Sequence, residues 1–434
     1  MDKGRACNRQ KALRIFDSRE MKIAFVTLGC KLNYAETSTY ERGFRAAGLD
    51  VVGWREKADV YLVNTCTVTE TANAKSRSEI RKLHRINPAA QIVVTGCYAQ
   101  MKPDEVAAIE GVARVFLSDE KAAVVPETLK LLKINNSLSA KELSVFPAYS
   151  SGERTRSFLK VQDGCDNFCA YCTVPYARGR SRNIPICEAV RMAEEIASQG
   201  VKEIVLTGVN TGDFGKTTGE SFLDLLKALN GVEGIERYRI SSIEPNLLTE
   251  ETVDWIASGT KFQPHFHIPL QTGCDELLKR MGRRYTTAEF ADKLQMIRGK
   301  MERPGAEKVF FGIDVMVGLP GETPELFQET CGFLETIRPA FIHIFPYSKR
   351  PGTRAAEMPD QVPESIKKER VATLEALCDR LHAEFVEANR GIPAKVLWES
   401  KEKDGTMGGY TGNYIRITRP YDAALSGRIT EIKI

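Results

Sequence analysis

Strand-length apolar runs alternate with helix-length segments along most of this chain, and the alternation limits the folds open to it. Four runs come first, at residues 22–28, 59–64, 91–95 and 113–117. Segments with helical periodicity, such as 34–47 and 70–86, separate them. Because strands that alternate with helices pair in parallel, residues 21–133 are predicted to form an α/β domain with a doubly wound parallel sheet.

A second series of the same kind follows a Ser- and Asn-rich stretch at 134–152, which we interpret as a linker. Its candidate strands are residues 157–162, 203–207, 237–241, 265–270, 309–316 and 341–345. Six strand–helix units indicate a (β/α) barrel, closed or partial, over residues 153–372. The apolar periodicity of residues 363–390 predicts a long amphipathic helix. Its apolar face contains Ile366, Leu374, Leu377, Leu381 and Phe385.

The two ends of the chain differ from these domains. Residues 373–434 are predicted to combine the end of that helix with a small β-barrel, since short strands and Gly-rich turns begin near residue 392. Residues 1–20 lack an apolar run, so we expect a disordered extension, or a start at Met21, and no secretory signal. No stretch is apolar enough to span a membrane. The eleven cysteines therefore indicate a reducing, cytoplasmic setting, where closely spaced thiols are metal ligands or catalysts.

The most specific chemical pattern is a cysteine triplet, Cys165, Cys169 and Cys172, directly after the first strand of the second series. Three thiolates at this spacing can converge on one side of a loop, as iron–sulfur clusters and zinc require. No further cysteine or histidine lies within ten residues on either side, so a four-iron cluster would keep one iron open. The alternative is a zinc knuckle with a distant fourth ligand. Loops after barrel strands build active sites, which favours the cluster.

Cysteines also follow three strands of the first series. These are Cys30, Cys66 and Cys97, each within three residues of a predicted strand end. The carboxyl ends of parallel strands meet at one edge of a sheet, where ligands bind. We therefore predict that these cysteines hold a second cluster with an open iron; the alternative is three buried structural thiols. A sulfur donor on that iron would make sulfur insertion into a C–H bond the natural reaction.

The CxxxCxxC triplet in this position resembles that of the radical S-adenosylmethionine (SAM) superfamily. The resemblance implies that the triplet is catalytic: it would hold a [4Fe–4S] cluster that binds SAM and cleaves it to a 5′-deoxyadenosyl radical. Later strand ends would then hold SAM, with Asn210 near the methionine part, Glu244 near the ribose and Val317 near the adenine. The full set of candidate SAM residues is Tyr171, Gly208, Asn210, Ser242, Glu244, Gln271 and Val317.

From about residue 21 onward the chain is similar to the radical SAM methylthiotransferases. Matching segments include TLGCKLNYAETSTYE (27–41), NTCTVTETANAKSRSEIRK (64–82), GCDNFCAYCTVPYARGRSRN (164–183) and PLQTGCDELLKRMGRRYT (269–286). Thr272 stands where the family usually has Ser. The resemblance implies two [4Fe–4S] clusters, SAM, a one-electron reductant and a sulfur donor. It also implies a C-terminal TRAM domain, an OB-like RNA-binding β-barrel.

Three features are similar to the branch of that family that acts on threonylcarbamoyl-adenosine in tRNA. They are NTCTVTETA, YARGRSR, and Cys274 within QTGCDELLKRM, to which we assign no chemical role. The branch implies an anticodon stem-loop of tRNA as substrate, a methylthio group added at C2 of the base next to the anticodon, and neither DNA nor a membrane as partner. The alternatives are isopentenyl-adenosine in tRNA, an aspartate of a ribosomal protein, or a non-enzymatic RNA-binding zinc protein.

The net charge of +4 is too small to indicate nucleic acid by itself, so local clusters must support that interpretation. Candidate RNA contacts are Arg178, Arg180, Arg182, Arg283, Tyr414 and Arg416. The first three follow the triplet closely, which favours phosphate contact near the reaction site. The last two combine an aromatic ring with a cation, which suits unstacked bases. An ordinary solvated surface is the alternative for each. His265 and His267 share one face of a strand and are interpreted as core or hydrogen-bonding residues.

Overall fold

The computed structural model describes residues 21–134, 145–152 and 155–434. The expected extension at 1–20 and most of the expected linker therefore lie outside the described residues. The first domain alternates strands and helices as predicted. Its elements are β1 (Lys22–Thr27), α1 (Lys31–Ala46), β2 (Asp50–Val51), β3 (Val60–Thr65), α2 (Glu70–Ile86), β4 (Gln91–Gly96), α3 (Cys97–Met101), α4 (Pro103–Ala107), β5 (Val112–Val115) and α5 (Val124–Leu131).

The strands of the first domain form one parallel sheet in the order β2-β1-β3-β4-β5. β3 is buried along its whole length, because helices cover both faces of the sheet. Tyr40 and Phe44 of α1 pack on one face, and Ile80 and Leu83 of α2 pack on the other. The predicted α/β fold is confirmed, and the carboxyl ends of β1, β3 and β4 share one edge.

The second domain is a partial barrel of parallel strands. Its elements are β6 (Ala148–Tyr149), β7 (Arg156–Lys160), β8 (Gln162–Asp163), α6 (Val174–Arg178), β9 (Arg182–Asn183), α7 (Ile186–Ser198), β10 (Glu203–Thr207), α8 (Phe222–Asn230), β11 (Arg237–Ile240), α9 (Glu250–Ala257), β12 (His265–Gln271), α10 (Asp275–Arg280), α11 (Thr287–Met301), β13 (Phe310–Val317), α12 (Pro324–Ile337), β14 (Phe341–Pro346), α13 (Arg354–Glu357) and α14 (Glu364–Ala388). Strands β11, β10 and β7 pair in one sheet, and β12, β13 and β14 pair in another. A parallel bridge from Tyr238 to Phe262 links the two sheets, so the six strands enclose a lumen.

Two boundaries differ from those expected. β6 pairs antiparallel with β7, so the end of the expected linker belongs to the barrel sheet. α14 is one continuous helix, and the expected boundary at 372/373 falls inside it. Leu374, Leu377 and Leu381 bury their side chains in the barrel core, which keeps this helix with the barrel. Ile366 was expected on the same face but is exposed in the first turn of the helix.

The C-terminal domain is an antiparallel sheet in the order β17-β16-β15-β18. Its strands are β15 (Pro393–Lys403), β16 (Thr406–Tyr410), β17 (Arg416–Pro420) and β18 (Ile429–Lys433). β17 and β18 are the edge strands of this curled sheet, which is consistent with the small β-domain predicted at this end of the chain. The sheet docks on the amino-terminal ends of the barrel strands, where Arg239 of β11 donates to the backbone oxygens of Thr411 and Gly412 at 2.7 Å.

Helix α1 of the first domain covers the open side of the partial barrel. Its Ala35 packs against Phe158 of β7 and Val205 of β10, which point into the lumen. The alternate residues of these strands, such as Leu159, point outward into the core beneath the helices. Cys30 precedes α1, so the covering helix starts at the cysteine edge of the first sheet. Among the helices of the described ranges, none combines the length and apolar character needed to cross a bilayer.

Candidate active site

The three cysteines of the first domain lie at the carboxyl edge of its sheet, as expected. Cys30 precedes α1, Cys66 follows β3, and Cys97 opens α3 directly after β4. Gly29 has a φ of 108°, and a Cβ placed on it would lie 3.0 Å from the Cβ of Cys66. Only glycine permits this close approach, which brings the loops of Cys30 and Cys66 together. The thiols of all three cysteines are free.

The electrostatics of these thiols fit a metal cluster. Desolvation raises the pKa of Cys66, and the nearby charges of Cys97 and Cys30 raise it further. Desolvation also raises the pKa of Cys97, whereas the charge of Arg178 from the second domain lowers it. A cluster requires thiolates and supplies the positive charge that stabilises them. The charge of Cys30 acts on both Cys66 and Cys97, so the three thiols lie close enough to one another to form a donor set suited to iron.

The triplet of the second domain occupies the loop between β8 and α6. Cys165 and Cys169 are buried and Cys172 is partly exposed. Desolvation raises the pKa of Cys165 to about 11 and that of Cys172 to about 12, and the charge of Cys169 adds to both shifts. The backbone amide of Asn167 donates to the Sγ of Cys165 at 3.5 Å. Cys165 and Cys172 therefore need a metal to ionise near neutral pH, and three thiols in one loop fit an iron–sulfur cluster.

Arg283 lies inside this site, which corrects the expectation that it faces RNA. Its Nη1 is 3.1 Å from the Sγ of Cys169, and its Nη2 donates to both carboxylate oxygens of Glu244 at 2.7 Å. The side chain is only 3% exposed, so it cannot offer its charge to a phosphate at the surface. A run of basic residues in a sequence does not show which side chains are buried. In the structure, Arg283 connects the cysteine loop to the loop after β11.

Asn210, Glu244 and Gly208 lie just beyond the ends of β10 and β11, as predicted. The Oδ1 of Asn210 accepts from the amide of Glu244 at 3.1 Å, whereas its buried Nδ2 has no partner among the described residues. Buried polar groups rarely lack a partner, so this amide favours a ligand such as SAM. Gly208 packs against Gln162, whose Oε1 would lie 2.8 Å from an added Cβ. Gly208 therefore allows the loop to close on β8.

Not all of the remaining candidate SAM residues face the lumen, since one of them is buried in the core. Tyr171 lies within the cysteine loop, and Ser242 is partly exposed after β11. Gln271 ends β12 with a φ of 76°, a left-handed conformation that strains a residue other than glycine. Val317 is buried in the core under the helices, because the alternation along β13 turns it away from the lumen. Met316 faces the lumen and packs on the same apolar cluster as Tyr171, so it takes the place expected for Val317.

Arg178 also lies in the interior, in a buried charge network between the two domains. Its Nη1 donates to Asp163 at 3.0 Å and to Glu36 of α1 at 3.2 Å. Lys121 and Lys160 each lie 2.7 Å from the same oxygen of Glu36. Because Arg178 is 3% exposed and paired with two carboxylates, the structure corrects its expected role as a phosphate contact.

Asn33 connects this network to the cysteine loops of the first domain. Its Nδ2 donates to the backbone oxygen of Leu28 in the loop of Cys30 at 2.7 Å and to that of Thr65, the residue before Cys66, at 3.0 Å. Its Oδ1 accepts from Arg178 at 2.5 Å. Asp163, the other partner of Arg178, comes two residues before the triplet. The loops that carry the two cysteine sets are therefore joined through one guanidinium.

The other expected RNA contacts have different surroundings. Arg180 is 75% exposed and Arg416 is exposed. Arg182 is half-buried and donates to the backbone oxygen of Arg178 at 2.6 Å. The ring of Tyr414 stacks on Tyr410, with centroids 4.7 Å apart, at the contact between the C-terminal sheet and the barrel. Arg180 and Arg416 remain available for RNA, while Tyr414 holds the sheet in position.

A further polar cluster, not expected from the sequence, faces the lumen. It consists of His267, Asp314 and His343, on β12, β13 and β14, whose ligand atoms all lie within 4.8 Å of one another. The Nε2 of His267 is 2.7 Å from Asp314. Sequence reasoning placed His267 correctly as a hydrogen-bonding residue. It missed the cluster, because the register of three strands brings these residues together.

Two family matches divide the chain as the fold does. Residues 22–118 match the Uncharacterized protein family UPF0004, and residues 159–334 match the Radical SAM superfamily. The threonylcarbamoyladenosine tRNA methylthiotransferase MtaB of Bacillus subtilis is 41% identical over 429 residues, which cover 95% of this chain and 93% of that relative. The chain belongs to the MtaB-like radical SAM methylthiotransferases. Membership in this family confirms that it binds SAM and an iron–sulfur cluster.

Other methylthiotransferases align along almost the whole chain. MtaB of Aquifex aeolicus is 39% identical over 412 residues, covering 92% of this chain and 97% of the relative. The tRNA-2-methylthio-N(6)-dimethylallyladenosine synthase of Fusobacterium nucleatum is 32% identical over 430 residues, covering 95% of this chain and 97% of the relative.

A solved structure supports the architecture. The radical SAM methyltransferase TsrM of Kitasatospora setae, with cobalamin and a [4Fe–4S] cluster bound, has a TM-score of 0.57 at 15% identity. The match covers 78% of this chain and 77% of that chain. At this identity the similarity concerns the fold, which agrees with an N-terminal parallel sheet joined to a partial barrel.

Proposed function

We propose that this methylthiotransferase adds a methylthio group at C2 of N6-threonylcarbamoyladenosine next to the anticodon of tRNA. The observation that carries the proposal is the placement of two cysteine sets on loops joined through Arg178 and Asn33. The choice of substrate rests on the relatives, since those named for threonylcarbamoyladenosine reach 41% identity, against 33% or less for those named for dimethylallyladenosine.

The proposal includes two [4Fe–4S] clusters. Cys165, Cys169 and Cys172 would hold the one that binds SAM, and the cysteines of the first domain would hold the other. When bound, the first cluster supplies the electron that cleaves SAM to a radical, and the second supplies an open iron for the sulfur donor. Each set has three cysteines, so each would leave one iron free of protein ligands. A one-electron reductant and a sulfur source complete the proposed partners.

The chain's own residues would hold SAM and shield the radical. Asn210 has a free, buried amide at the ends of the strands where SAM is expected. Glu244 is held in place by Arg283, and its carboxylate would accept hydrogen bonds from the ribose hydroxyls of SAM. Met316 and Tyr171 give the same region an apolar wall. Helix α1 covers the lumen and limits the access of water, which a radical reaction requires.

The proposed RNA contacts are those that remain exposed. Arg180 lies beyond the triplet, and Arg416 lies on an edge strand of the C-terminal sheet. The target base would have to leave its stack to reach the lumen, as in other enzymes that act on a base. An anticodon loop, whose bases are partly unpaired, suits this requirement better than a duplex.

Mass spectrometry of tRNA nucleosides tests the proposal directly. The protein, reconstituted anaerobically with iron and sulfide, is incubated with SAM, a reductant and tRNA that carries either threonylcarbamoyladenosine or isopentenyladenosine. A methylthio product from the first tRNA alone supports the proposal, and a product from the second alone indicates the other branch. No product from either, with zinc in place of about eight iron atoms per chain, would support a non-enzymatic metalloprotein. Product from a ribosomal-protein aspartate would indicate the third alternative.

A further inference from the structure

Lys31 is the first residue of α1, directly after Cys30, and its side chain is exposed to water. It is not at the outer surface of the protein, however. Asp314 of β13, Arg156 of β7 and Arg239 of β11 all act electrostatically on its ammonium group. These three residues come from strands on both sides of the partial barrel.

Lys31 also lies one turn before Ala35 and two turns before Ser38 on α1. This face of the helix meets the second domain, where Ala35 packs against Phe158 and Val205 and the hydroxyl of Ser38 accepts from the amide of Ser151. The side chain of Lys31 therefore projects into the lumen that α1 covers.

The wall opposite Lys31 carries the cluster of His267, Asp314 and His343. All three are partly exposed although they lie in the middle of their strands, which places them on the lumen surface. One oxygen of Asp314 is already engaged, since its Oδ1 is 2.7 Å from the Nε2 of His267. Burial lowers the pKa of His343, and the charges of His267 and Lys31 lower it further. The cluster thus offers imidazole N–H groups to whatever occupies the lumen.

The balance of charge in the lumen favours an anion over a metal ion. Arg156, Arg237 and Arg239 share one buried carboxylate, Glu203, and Arg156 also pairs with Glu399 at 3.1 Å. Lys31 forms no ion pair within 4.0 Å in the described ranges of the chain, and Asp314 contacts His267 instead. A divalent cation between His267 and Asp314 would face the ammonium of Lys31 and the guanidinium of Arg239. A carboxylate would instead gain from both charges.

We propose that the lumen contains a carboxylate subsite in which Lys31 supplies the positive charge and His343 a hydrogen bond. This inference rests on the proposed function and deepens it, because the threonylcarbamoyl group ends in a carboxylate whereas the isopentenyl group is an uncharged hydrocarbon. The position of Lys31 next to Cys30 places the subsite beside the proposed sulfur-donor cluster. A base with its C2 at that cluster would extend its N6 substituent along the lumen. Lys31 is then a specificity-determining residue.

Binding of matched RNAs tests the subsite without depending on turnover. The probes are two anticodon stem-loops that differ only in the threonylcarbamoyl group, which is the free acid in one and the methyl ester in the other. We expect the reconstituted wild-type enzyme to bind the acid about tenfold or more tightly, as one charged hydrogen bond provides. Lys31→Met should abolish this preference and leave the Kd of the ester unchanged. Lys31→Arg should retain most of it.

Two controls separate the possible failures. Lys57→Met removes an exposed lysine near the amino-terminal end of β3, at the opposite edge of the sheet from Cys66, and should keep the preference. Iron content and the Kd of SAM should be unchanged in Lys31→Met. The subsite is wrong if Lys31→Met still binds the acid more tightly than the ester, or if it raises the Kd of both RNAs equally. This holds even if the wild type methylthiolates threonylcarbamoyl-tRNA. If the wild type modifies only isopentenyl-tRNA, the proposed function itself fails.

Discussion

The guanidinium of Arg178 donates to the side-chain oxygen of Asn33 at 2.5 Å, across the boundary between the first two domains. This bond gives one arginine two tasks: it compensates buried carboxylates, and it fixes the loops of two cysteine sets relative to each other. The geometry of the proposed reaction therefore depends on a contact that touches neither SAM nor RNA.

Loss of Arg178 should destabilise the protein strongly. Arg178→Met leaves Glu36 and Asp163 with fewer partners in a buried site, and breaking such a network costs about 3–5 kcal/mol. Thermal unfolding measured by circular dichroism should show the loss. The matched control is Arg180→Met, since Arg180 is 75% exposed and should change the free energy of unfolding by less than about 0.5 kcal/mol. Equal effects of the two variants would contradict a bridging role for Arg178.

The same network predicts a specific sensitivity to acid. Desolvation tends to raise the pKa of Glu36, but the charges of Lys121, Lys160 and Arg178 outweigh it and lower this pKa. A carboxyl whose folded pKa lies below its unfolded pKa stabilises the fold above the unfolded value, and this stability is lost as the pH falls. The free energy of unfolding should therefore decrease below about pH 5. Glu36→Gln should be less stable at pH 7 and show a shallower decrease, whereas an unchanged slope would exclude Glu36 as its source.

Substitution of Arg283 should weaken the binding of SAM rather than the binding of RNA. Arg283→Lys removes the two-oxygen contact with Glu244 and the contact with Cys169, and it should raise the Kd of SAM about tenfold, measured by equilibrium dialysis on the reconstituted enzyme. The neighbouring Arg284 is exposed, so Arg284→Lys should leave this Kd unchanged. A weaker affinity for tRNA with normal SAM binding would return Arg283 to the RNA-facing role expected from the sequence.

The two cysteine sets should separate in their effects on the reaction. Cys169→Ala should abolish both SAM cleavage and methylthiolation, because it removes a proposed ligand of the cluster that binds SAM. Cys66→Ala should retain some SAM cleavage but yield no methylthio product. Deoxyadenosine and modified nucleosides, quantified from the same reaction by mass spectrometry, give the two readings. Equal loss of both in the two variants would argue against separate roles.

Two residues of the C-terminal domain should have separate roles: Tyr414 should hold the sheet on the barrel, and Arg416 should bind RNA. Tyr414→Ala removes a ring that packs on Tyr410 and whose centroid lies 4.8 Å from that of the His265 ring. Limited proteolysis should then release the sheet more readily. Arg416→Met should keep the protease resistance but weaken tRNA binding, and it should reduce the slope of log K against log salt by about one. Weaker docking in Arg416→Met, with normal RNA binding, would reverse these assignments.

Much of the fold could be predicted because periodicity and strand ends are local properties. The runs around Val63 and Val94 predict strands, and Cys66 and Cys97 follow those strands by position alone. The edge that the cysteines share then follows from the rule that parallel strands end on the same side. The side of a strand that faces the lumen is harder to predict. Met316 and Val317 are both apolar, so only the packing of β13 distinguishes them.

Burial of charge was the main point that the sequence could not resolve. Arg178 and Arg180 lie two residues apart in one basic run, yet the first is buried and the second is exposed. The partners of Arg178 come from other elements: Glu36 lies 142 residues away along the chain and Asn33 lies 145 residues away. Local patterns contain no information on contacts of this separation, and the cluster around His267 was missed for the same reason.

The first domain does more than carry cysteines, since Ala35 of α1 rests on Phe158 and Val205 inside the barrel. The barrel alone lacks one side of its chamber, and the parallel sheet alone has no chamber. Separately expressed halves should therefore each expose a face that the intact protein hides. A reactive radical would be confined only after the halves have assembled, which ties the timing of the chemistry to the integrity of the whole chain.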